Sequence, residues 1–272
     1  MAPCFGTIAR IARGNGHTKV LCQIDNVEPH EHHLTDKPFN RYYLHSVDGF
    51  VYMSEQVHSE LRAYSDAPAL FSPHPLFENF GERVERSEAC VRLGLDPANR
   101  YVLFFGLIRD YKGLDLLLDA WAQLRRAGRT EGRRLIVAGE FYTAREPYLN
   151  RIADNGLQDE VLLHDRFIPD DDVKYYFSAA DFVVQPYKTA TQSGVTQIAY
   201  QFCVPMVVTK VGGLAEIVPD GRVGYVCEPT PEGVAGAIER MYEGDTLQRF
   251  RENCVEERRR FSWEEMCSRI TE

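Results

Sequence analysis

The sequence predicts an α/β protein built on a doubly wound parallel sheet. From Tyr101 onward, short apolar runs of strand length alternate with longer segments whose apolar residues recur at helical spacing. This alternation favours parallel strands that are joined by right-handed crossovers and covered by helices on both faces. The predicted strands are 101–105, 134–138, 160–164, 181–185, 206–209 and 224–227.

Helices are predicted between these strands and after the last of them. The clearest pattern lies in 114–124, where leucines and Trp121 recur at helical spacing. The charged run 256–260 is interpreted as the solvated face of one helix. The predicted helices are 113–127, 145–155, 171–179, 194–203, 214–218, 231–243, 246–260 and 263–270.

The first seventy residues carry fewer predicted elements. An amphipathic segment spans 1–16, and a helix that Ser54 caps runs to about Arg62. Two prolines oppose regular structure in the stretch 71–83, which we interpret as a linker. The other predicted elements of this part are strands at 19–24 and 49–53 and a helix at 38–46.

The composition indicates an ordinary soluble globular protein. The 272 residues carry a net charge of −9, which argues against broad binding to nucleic acid or to an anionic membrane surface. Seven cysteines without a CxxC pair indicate reduced thiols and a cytoplasmic setting. No apolar run approaches the ~18 residues of a membrane span, and the first residues do not form a secretory signal.

A loop that follows the first strand of the regular part is a candidate phosphate site. The chain breaks at Gly106 and re-enters a helix after Gly113, which leaves main-chain N–H groups free to favour an anion. Arg109 and Lys112 add two cations to the same loop. We call these two residues the diphosphate clamp. The alternative is a surface loop with two solvated cations.

A second polar loop, 185–196, precedes the helix predicted at 194–203. That helix begins at Ser193-Gly194, which again suits an anion at its N-terminus. Plain capping by Ser193 is the alternative explanation. Because ligands of such sheets lie beyond the carboxyl ends of the strands, the loops after 105, 138, 164, 186 and 209 are expected to line one cleft.

Several segments resemble a known enzyme family. FGLIRDYKGLDLLLDAW resembles the phosphate-binding loop of retaining glycosyltransferases of family 4, which have the GT-B fold. LIVAGE, DDDVKYYFSAADFVVQPY, TQSGVTQIAYQFCVPMVVTKVGGLAEIVPDGRVGYV and FSWEE resemble later blocks of that family, in its order. DNVEPHE, VDGFVYMS and SPHPLFENFG resemble the acceptor-side domain and its linker.

The resemblance implies two Rossmann-like domains and a set of roles. Residues 1–75 would form a partial acceptor-side domain and 76–272 the donor-binding domain, whose last helix often returns to the first domain. Arg109 and Lys112 would stabilise charge on the leaving β-phosphate, and His30, or Asp25 and Asn26, would face the reacting sugar. The implied donor-binding residues are Gly106, Ile168, Asp170, Thr191, Gln192, Ser193, Gly194 and Val195.

The sequence departs from the family in two places. The family usually carries two glutamates eight positions apart, and an ungapped match places Thr191 and Ala199 there. Gln192 and Gln197 are the nearest polar substitutes, but an amide does not stabilise an oxocarbenium-like centre as a carboxylate does. The acceptor-side domain also lacks its opening strand and loop, so we expect an incomplete first domain.

The expected activity is metal-independent transfer of a sugar, with retention, from a nucleotide-diphosphate-sugar to a saccharide or lipid-linked acceptor. The alternatives are a nucleotide-sugar-binding half that needs a second polypeptide for its missing strands, and an epimerase on the same scaffold. No cofactor is expected, because the nucleotide-sugar is a substrate. The expected location is cytoplasmic, either free or peripheral to the inner face of a membrane, and nucleic acid is not an expected partner.

A histidine-rich loop is the one competing candidate for a metal site. His30, His32 and His33 stand beside Glu28 and Glu31. Imidazole nitrogens and carboxylate oxygens are both common ligands of transition metals. Their spacing matches no familiar zinc pattern and the stretch is rich in turn formers. We therefore expect no metal.

Overall fold

The computed structural model describes residues 2–27 and 36–271, and the strands of this part form two separate parallel sheets. The fold divides into two units. The small unit combines Met1–His74 with Trp263–Glu272, and the large unit is Pro75–Ser262. None of the helices described below has the length and apolar character that crossing a bilayer requires.

The small unit contains a three-stranded sheet in which all neighbours are parallel. Its elements are α1 (Ala2–Arg13), β1 (Leu21–Ile24), α2 (Asp36–Leu44), β2 (Gly49–Tyr52), α3 (Glu55–Arg62) and β3 (Ala69–Phe71), with sheet order β1-β2-β3. Cys22, Phe50 and Tyr52 pack in one core with Val57 and Leu61 of α3.

Two sequence predictions for this unit have clear outcomes. Ser54 caps α3 as expected, because its side chain accepts a hydrogen bond of 3.4 Å from the main-chain N–H of Val57. The strand β3 was not predicted and overlaps the start of the predicted linker at Phe71. It is three residues long, too short for a periodic pattern to show.

The large unit contains a six-stranded sheet whose neighbours are also parallel. The strands are β4 (Arg100–Phe105), β5 (Arg133–Ala138), β6 (Val161–His164), β7 (Phe182–Gln185), β8 (Met206–Thr209) and β9 (Gly224–Cys227). Their order is β6-β5-β4-β7-β8-β9, so the chain builds the sheet outward in one direction and then returns to the other side of β4. This is the predicted doubly wound order.

The helices agree closely with the predicted ones. They are α4 (Arg86–Leu93), α5 (Leu114–Arg126), α6 (Glu146–Asp154), α7 (Asp170–Ala179), α8 (Gly194–Gln201), α9 (Leu214–Ile217), α10 (Pro231–Met241), α11 (Thr246–Glu257) and α12 (Trp263–Thr271), the last of which belongs to the small unit. Only α4 was missed: its sequence carries small residues where a helix usually shows large apolar ones, and its buried residues are Ala89 and Cys90.

The charged run at the end of α11 does not form a solvated helical face. The α-helix ends at Glu257 and a 3₁₀ turn covers Arg258–Phe261. Arg258 donates to the carbonyl of Gln201 at 2.9 Å, and Arg260 donates to the carbonyl of Ile217 at 2.6 Å. These two arginines therefore hold the 3₁₀ turn against the rest of the large unit. The predicted solvated face is wrong for them, because main-chain acceptors replace water, whereas Glu256 and Arg259 are exposed.

The sheet of the large unit separates two apolar cores. Tyr101 and Leu103 of β4 point into the core that α7 and α8 cover, whereas Val102 and Phe104 point into the core with Trp121 of α5. Successive residues of a strand face opposite sides, so a strand that is covered on both sides reads as a continuous apolar run. This explains why β4 was recognisable from the sequence.

Candidate active site

The candidate site lies where β4 and β7 separate. The register pairs Val102 with Phe182 and Leu103 with Val183, and no later positions of these two strands pair among the described residues. The strand order reverses at this point, because β4 leads to β5 on one side and β7 leads to β8 on the other. Such a reversal opens a crevice beyond the carboxyl ends of the strands.

The loop after β4 is held against the end of β7. A 3₁₀ turn covers Asp110–Lys112, and Gly113 follows it with a φ of 69°. A Cβ atom at Gly113 would lie 1.9 Å from the carbonyl oxygen of Pro186, so no other residue fits there. The main-chain N–H of Lys188 also donates to the carbonyl of Tyr111 at 2.7 Å. The two loops that flank the crevice are therefore in direct main-chain contact.

Lys112 points its ammonium group toward Gly106 and the start of α8. A Cβ atom built on Gly106 would lie 3.1 Å from Lys112 Nζ and 3.6 Å from Val195 Cγ2. The same Nζ lies 5.8 Å from the ring centroid of Tyr187. The clamp lysine, the glycine of its loop and the first turn of α8 thus meet at one point.

The electrostatics of this point suit an anion. Burial and, after it, the positive charge of Arg109 lower the pKa of Lys112 to about 8. The guanidinium carbon of Arg109 lies 4.8 Å from the ring centroid of Tyr142, an exposed side chain. A partly buried ammonium group, with a second cation close enough to lower its pKa, favours binding of a negative group.

The N-terminus of α8 is not capped by a side chain. Ser193 occupies the N-cap position, but its Oγ lies 3.2 Å from the hydroxyl of Tyr187 and makes no capping hydrogen bond. Capping by Ser193, the alternative from the sequence, is therefore wrong. The first main-chain N–H groups of a helix have no acceptor within the helix, so those of Gly194 and Val195 remain available to a ligand.

The other predicted donor residues lie in different surroundings. Ile168 is buried in the core beside α7, and Asp170 is the exposed first residue of α7. Thr191 is half-buried and its carbonyl accepts from Gly213 at 3.1 Å. Gln192 is half-buried as well. The predicted sugar-facing residue His30, like the histidine-rich loop around it, lies outside the described residues.

A buried tyrosine supports the site and was not singled out from the sequence. Tyr187 is buried, and burial raises the pKa of its hydroxyl, which stays neutral. Its carbonyl accepts from Thr209 Oγ1 at 2.6 Å, and its ring lies edge-on to Tyr111 at 6.0 Å. The residue stands directly after Pro186 at the end of a predicted strand, which was the available signal.

The described residues contain no cluster of three or more His, Cys, Asp or Glu side chains that could hold a metal ion. The positions that the family usually fills with glutamates are also apolar or neutral here. Ala199 is fully buried in the core under α8, so a ligand could not reach this position. The charge available to a diphosphate therefore comes from Arg109, Lys112 and the start of α8.

Comparison with protein-family models decides the family. Residues 99–244, which span the crevice and both of its loops, match the model described as glycosyl transferases group 1. The chain belongs to this family. The match covers more than half of the chain and includes every residue of the diphosphate clamp and of α8.

Curated relatives agree with the family. D-inositol 3-phosphate glycosyltransferase 2 of Catenulispora acidiphila is 32% identical over 234 residues, which are 80% of this chain and 53% of the relative. The lipopolysaccharide core biosynthesis mannosyltransferase LpsB of Rhizobium meliloti is 32% identical over 172 residues, 58% of this chain and 45% of that protein. The group 1 chain thus spans about half the length of these relatives.

Solved structures confirm the fold class. Sucrose-phosphate synthase from Thermosynechococcus elongatus superposes with a TM-score of 0.81 at 20% identity, covering 98% of this chain and 69% of that one. HepE from Anabaena, solved in complex with UDP, gives 0.80 at 18% identity, covering 100% and 76%. The predicted α/β class with parallel sheets of GT-B type is confirmed.

Proposed function

We propose that this group 1 glycosyltransferase chain transfers a sugar from a nucleotide-diphosphate-sugar to a hydroxyl-bearing acceptor, with retained configuration and without a metal ion. The observation that carries the proposal is the meeting of Lys112 Nζ, Gly106 and Val195 at the mouth of the strand crevice. Cations and main-chain N–H groups that converge on one small volume are the features that a diphosphate requires.

The site favours departure of the nucleoside diphosphate. Transfer breaks the bond between the anomeric carbon and the β-phosphate oxygen, and forms a bond from that carbon to the acceptor oxygen. Negative charge develops on the β-phosphate as the first bond breaks. Lys112, Arg109 and the N–H groups at the start of α8 would stabilise this charge, which is the contribution that a metal ion makes in other transferases.

The acceptor is proposed to be a saccharide or a lipid-linked saccharide. The name of LpsB supports this class, because it denotes a mannosyltransferase of lipopolysaccharide core biosynthesis. The name of the Catenulispora relative denotes a cyclitol phosphate, which shares only the acceptor hydroxyl group. The donor is proposed to carry uridine, guanosine or thymidine diphosphate. One solved neighbour with this fold, HepE from Anabaena, was crystallised with UDP and with UDP-glucose, which makes the uridine nucleotide the first to test.

The decisive test is calorimetric titration of the chain with UDP-, GDP- and TDP-sugars. Arg109→Ala is expected to weaken binding of the preferred nucleotide-sugar by roughly 2–4 kcal/mol, since it removes a charge-assisted contact. Arg126→Ala is the matched control, because it removes the same charge from the far end of α5. Equal affinities of Arg109→Ala and the unaltered chain would refute the clamp.

A second candidate function is nucleotide-sugar binding without transfer. The buried Ala199 and the neutral Thr191 leave the donor site without the two family carboxylates, and this specific feature favours it. Chromatographic analysis of donor incubated with a saccharide acceptor separates the two functions. A new glycoside supports transfer. Tight binding of the donor, with neither a glycoside nor a released nucleoside diphosphate, supports nucleotide-sugar binding without transfer.

A further inference from the structure

A cluster of arginines surrounds one buried carboxylate at the amino edge of the large sheet. Asp181 precedes β7, is 1% exposed and accepts the main-chain N–H of Tyr101 through Oδ2 at 2.7 Å. Its other oxygen, Oδ1, lies 3.2 Å from Arg100, 3.7 Å from Arg86 and 3.9 Å from Arg251. One carboxylate oxygen therefore serves three guanidinium groups.

The positive charge of this cluster exceeds the negative charge around it. Burial lowers the pKa of Arg251, and the charge of Arg83 lowers it further, against the opposing effect of Asp181. Arg133 acts on the same region, since its guanidinium carbon lies 4.0 Å from the ring centroid of Tyr242. We call Arg83, Arg86, Arg100, Arg133 and Arg251 the arginine cluster.

The acidic groups of the region do not balance the arginine cluster. Besides Asp181, a second carboxylate, Asp96, is close enough to act on Cys90 together with Arg86. The further acceptors of these arginines are neutral main-chain carbonyls: Arg86 donates to those of Ala179 and Asn99, and Arg251 to those of Ala180 and Asp181. Such acceptors satisfy hydrogen bonds without cancelling positive charge, in a protein whose overall charge is −9. A concentration of one sign of charge that opposes the net charge of the chain indicates a partner of the other sign.

Two buried polar atoms, one in the arginine cluster and one beside it, have no hydrogen-bond partner among the described residues. They are Nε of Arg251 and the hydroxyl of Tyr242. Burial and the charge of Asp181 raise the pKa of this hydroxyl, whereas Arg133, Arg100 and Arg86 lower it, so it lies within the field of the cluster. Buried donors without an acceptor are uncommon, and they indicate a water molecule or a ligand.

We propose that the arginine cluster is a second anion site, which binds inorganic phosphate or a phosphate monoester. Arg100 is 60% exposed and opens the cluster to solvent, while Arg86 and Arg251, about half as exposed, lie behind it. A phosphate offers several acceptor oxygens and up to two negative charges, which suits several guanidinium forks and a hydroxyl better than a single carboxylate does.

The second anion site is separate from the diphosphate clamp and does not depend on the proposed function. The arginine cluster lies at the amino ends of β4 and β5, whereas the clamp follows the carboxyl end of β4. Six residues of a parallel strand span roughly 16 Å between their first and last Cα atoms. One small anion cannot occupy both sites.

The test is calorimetric titration of inorganic phosphate into the full chain that carries Arg109→Ala and Lys112→Ala, which disables the clamp. We expect about one phosphate to bind per chain. Adding Arg100→Gln is expected to weaken this binding at least about tenfold, the effect of losing one charge-assisted hydrogen bond. Arg249→Gln, on the same helix as Arg251 and paired with Asp245, is the charge-matched control and should not change it.

A conservative variant separates loss of phosphate binding from loss of the fold. Tyr242→Phe keeps the ring against Arg133 and removes only the hydroxyl, so the fold is retained, and we expect a fall of several-fold in phosphate affinity. The proposal is overturned if the clamp-disabled chain binds no phosphate, or if neither Arg100→Gln nor Tyr242→Phe weakens the binding.

Discussion

The ammonium group of Lys112 is partly buried in the folded protein. Burial, followed by the charge of Arg109, lowers its pKa to about 8, so the lysine is mostly charged at neutral pH and mostly neutral one unit above pH 8. A diphosphate binds the charged form more tightly than the neutral one, because only the charged form adds an ionic attraction. Binding must therefore raise the pKa of this group again, and the two processes are linked.

This linkage predicts proton uptake on nucleotide binding. At pH 9 the free chain holds Lys112 mostly neutral, so binding of a nucleoside diphosphate should take up close to one proton, and the affinity should fall by up to tenfold per pH unit above 8. Titrations in buffers of different ionisation enthalpy measure the uptake. Lys112→Arg stays charged throughout and should show none. Identical heats in all buffers at pH 9 would contradict the linkage.

Ser193 shows what a sequence pattern leaves undecided at the scale of one residue. A serine before a helix is typical of a cap, and the alternative of plain capping followed from this pattern. In the structure its hydroxyl instead meets that of Tyr187, a residue six positions earlier. Both arrangements suit the same local sequence, and the choice between them depends on where β7 places the tyrosine ring.

At the scale of the element, the clamp loop depends on a glycine that contacts another loop. Gly113→Ala should destabilise the protein by about 3 kcal/mol or more, because a Cβ atom there would lie 1.9 Å from the carbonyl oxygen of Pro186. Gly128→Ala is the matched control. Gly128 has the same φ of 69° with nothing near its Cβ position, so about 1 kcal/mol is expected. Chemical unfolding measures both, and equal losses would contradict the close contact.

Element boundaries in the large unit were predictable from Tyr101 onward because apolar runs and amphipathic segments alternate there. Strand β8, predicted at 206–209, has the same limits in the structure, and β7 differs by one residue. Helix α4 was not predicted, because Ala89 and Cys90 pack closely against α7 and the helix has no row of large apolar residues. Small residues at a tight helix contact give little periodic signal.

At the scale of the whole molecule, the large unit contains both loops of the candidate site. We expect residues 75–262, produced alone, to unfold cooperatively and to bind nucleotide with an affinity close to that of the full chain. Thermal unfolding and calorimetry of the fragment test it, and a fragment that folds but binds no nucleotide would contradict it.

The arginine cluster could not be predicted from the sequence. Its members come from five separate positions between Arg83 and Arg251, and each looks like an ordinary surface charge in its own segment. They converge because β4, β5 and β7 begin at the same edge of the sheet and the middle of α11 lies beside the start of β7, where Arg251 donates to the carbonyl of Ala180. The clamp, by contrast, was predictable because its two cations lie within four residues of one another.

The short pairing between β4 and β7 has a consequence for the motions of the large unit. These strands share only the positions of Val102 and Leu103 in the described sheet, whereas β4 and β5 pair along six residues. The two halves of the sheet should therefore open as separate units in native-state hydrogen exchange. A nucleotide that contacts both the loop 106–113 and α8 would link the two halves of the sheet. Protection of main-chain amides from exchange should therefore rise along β7 and β8, beyond the residues that contact the ligand. Mass-spectrometric exchange with and without nucleotide would reveal this spread, and protection confined to the two loops would exclude it.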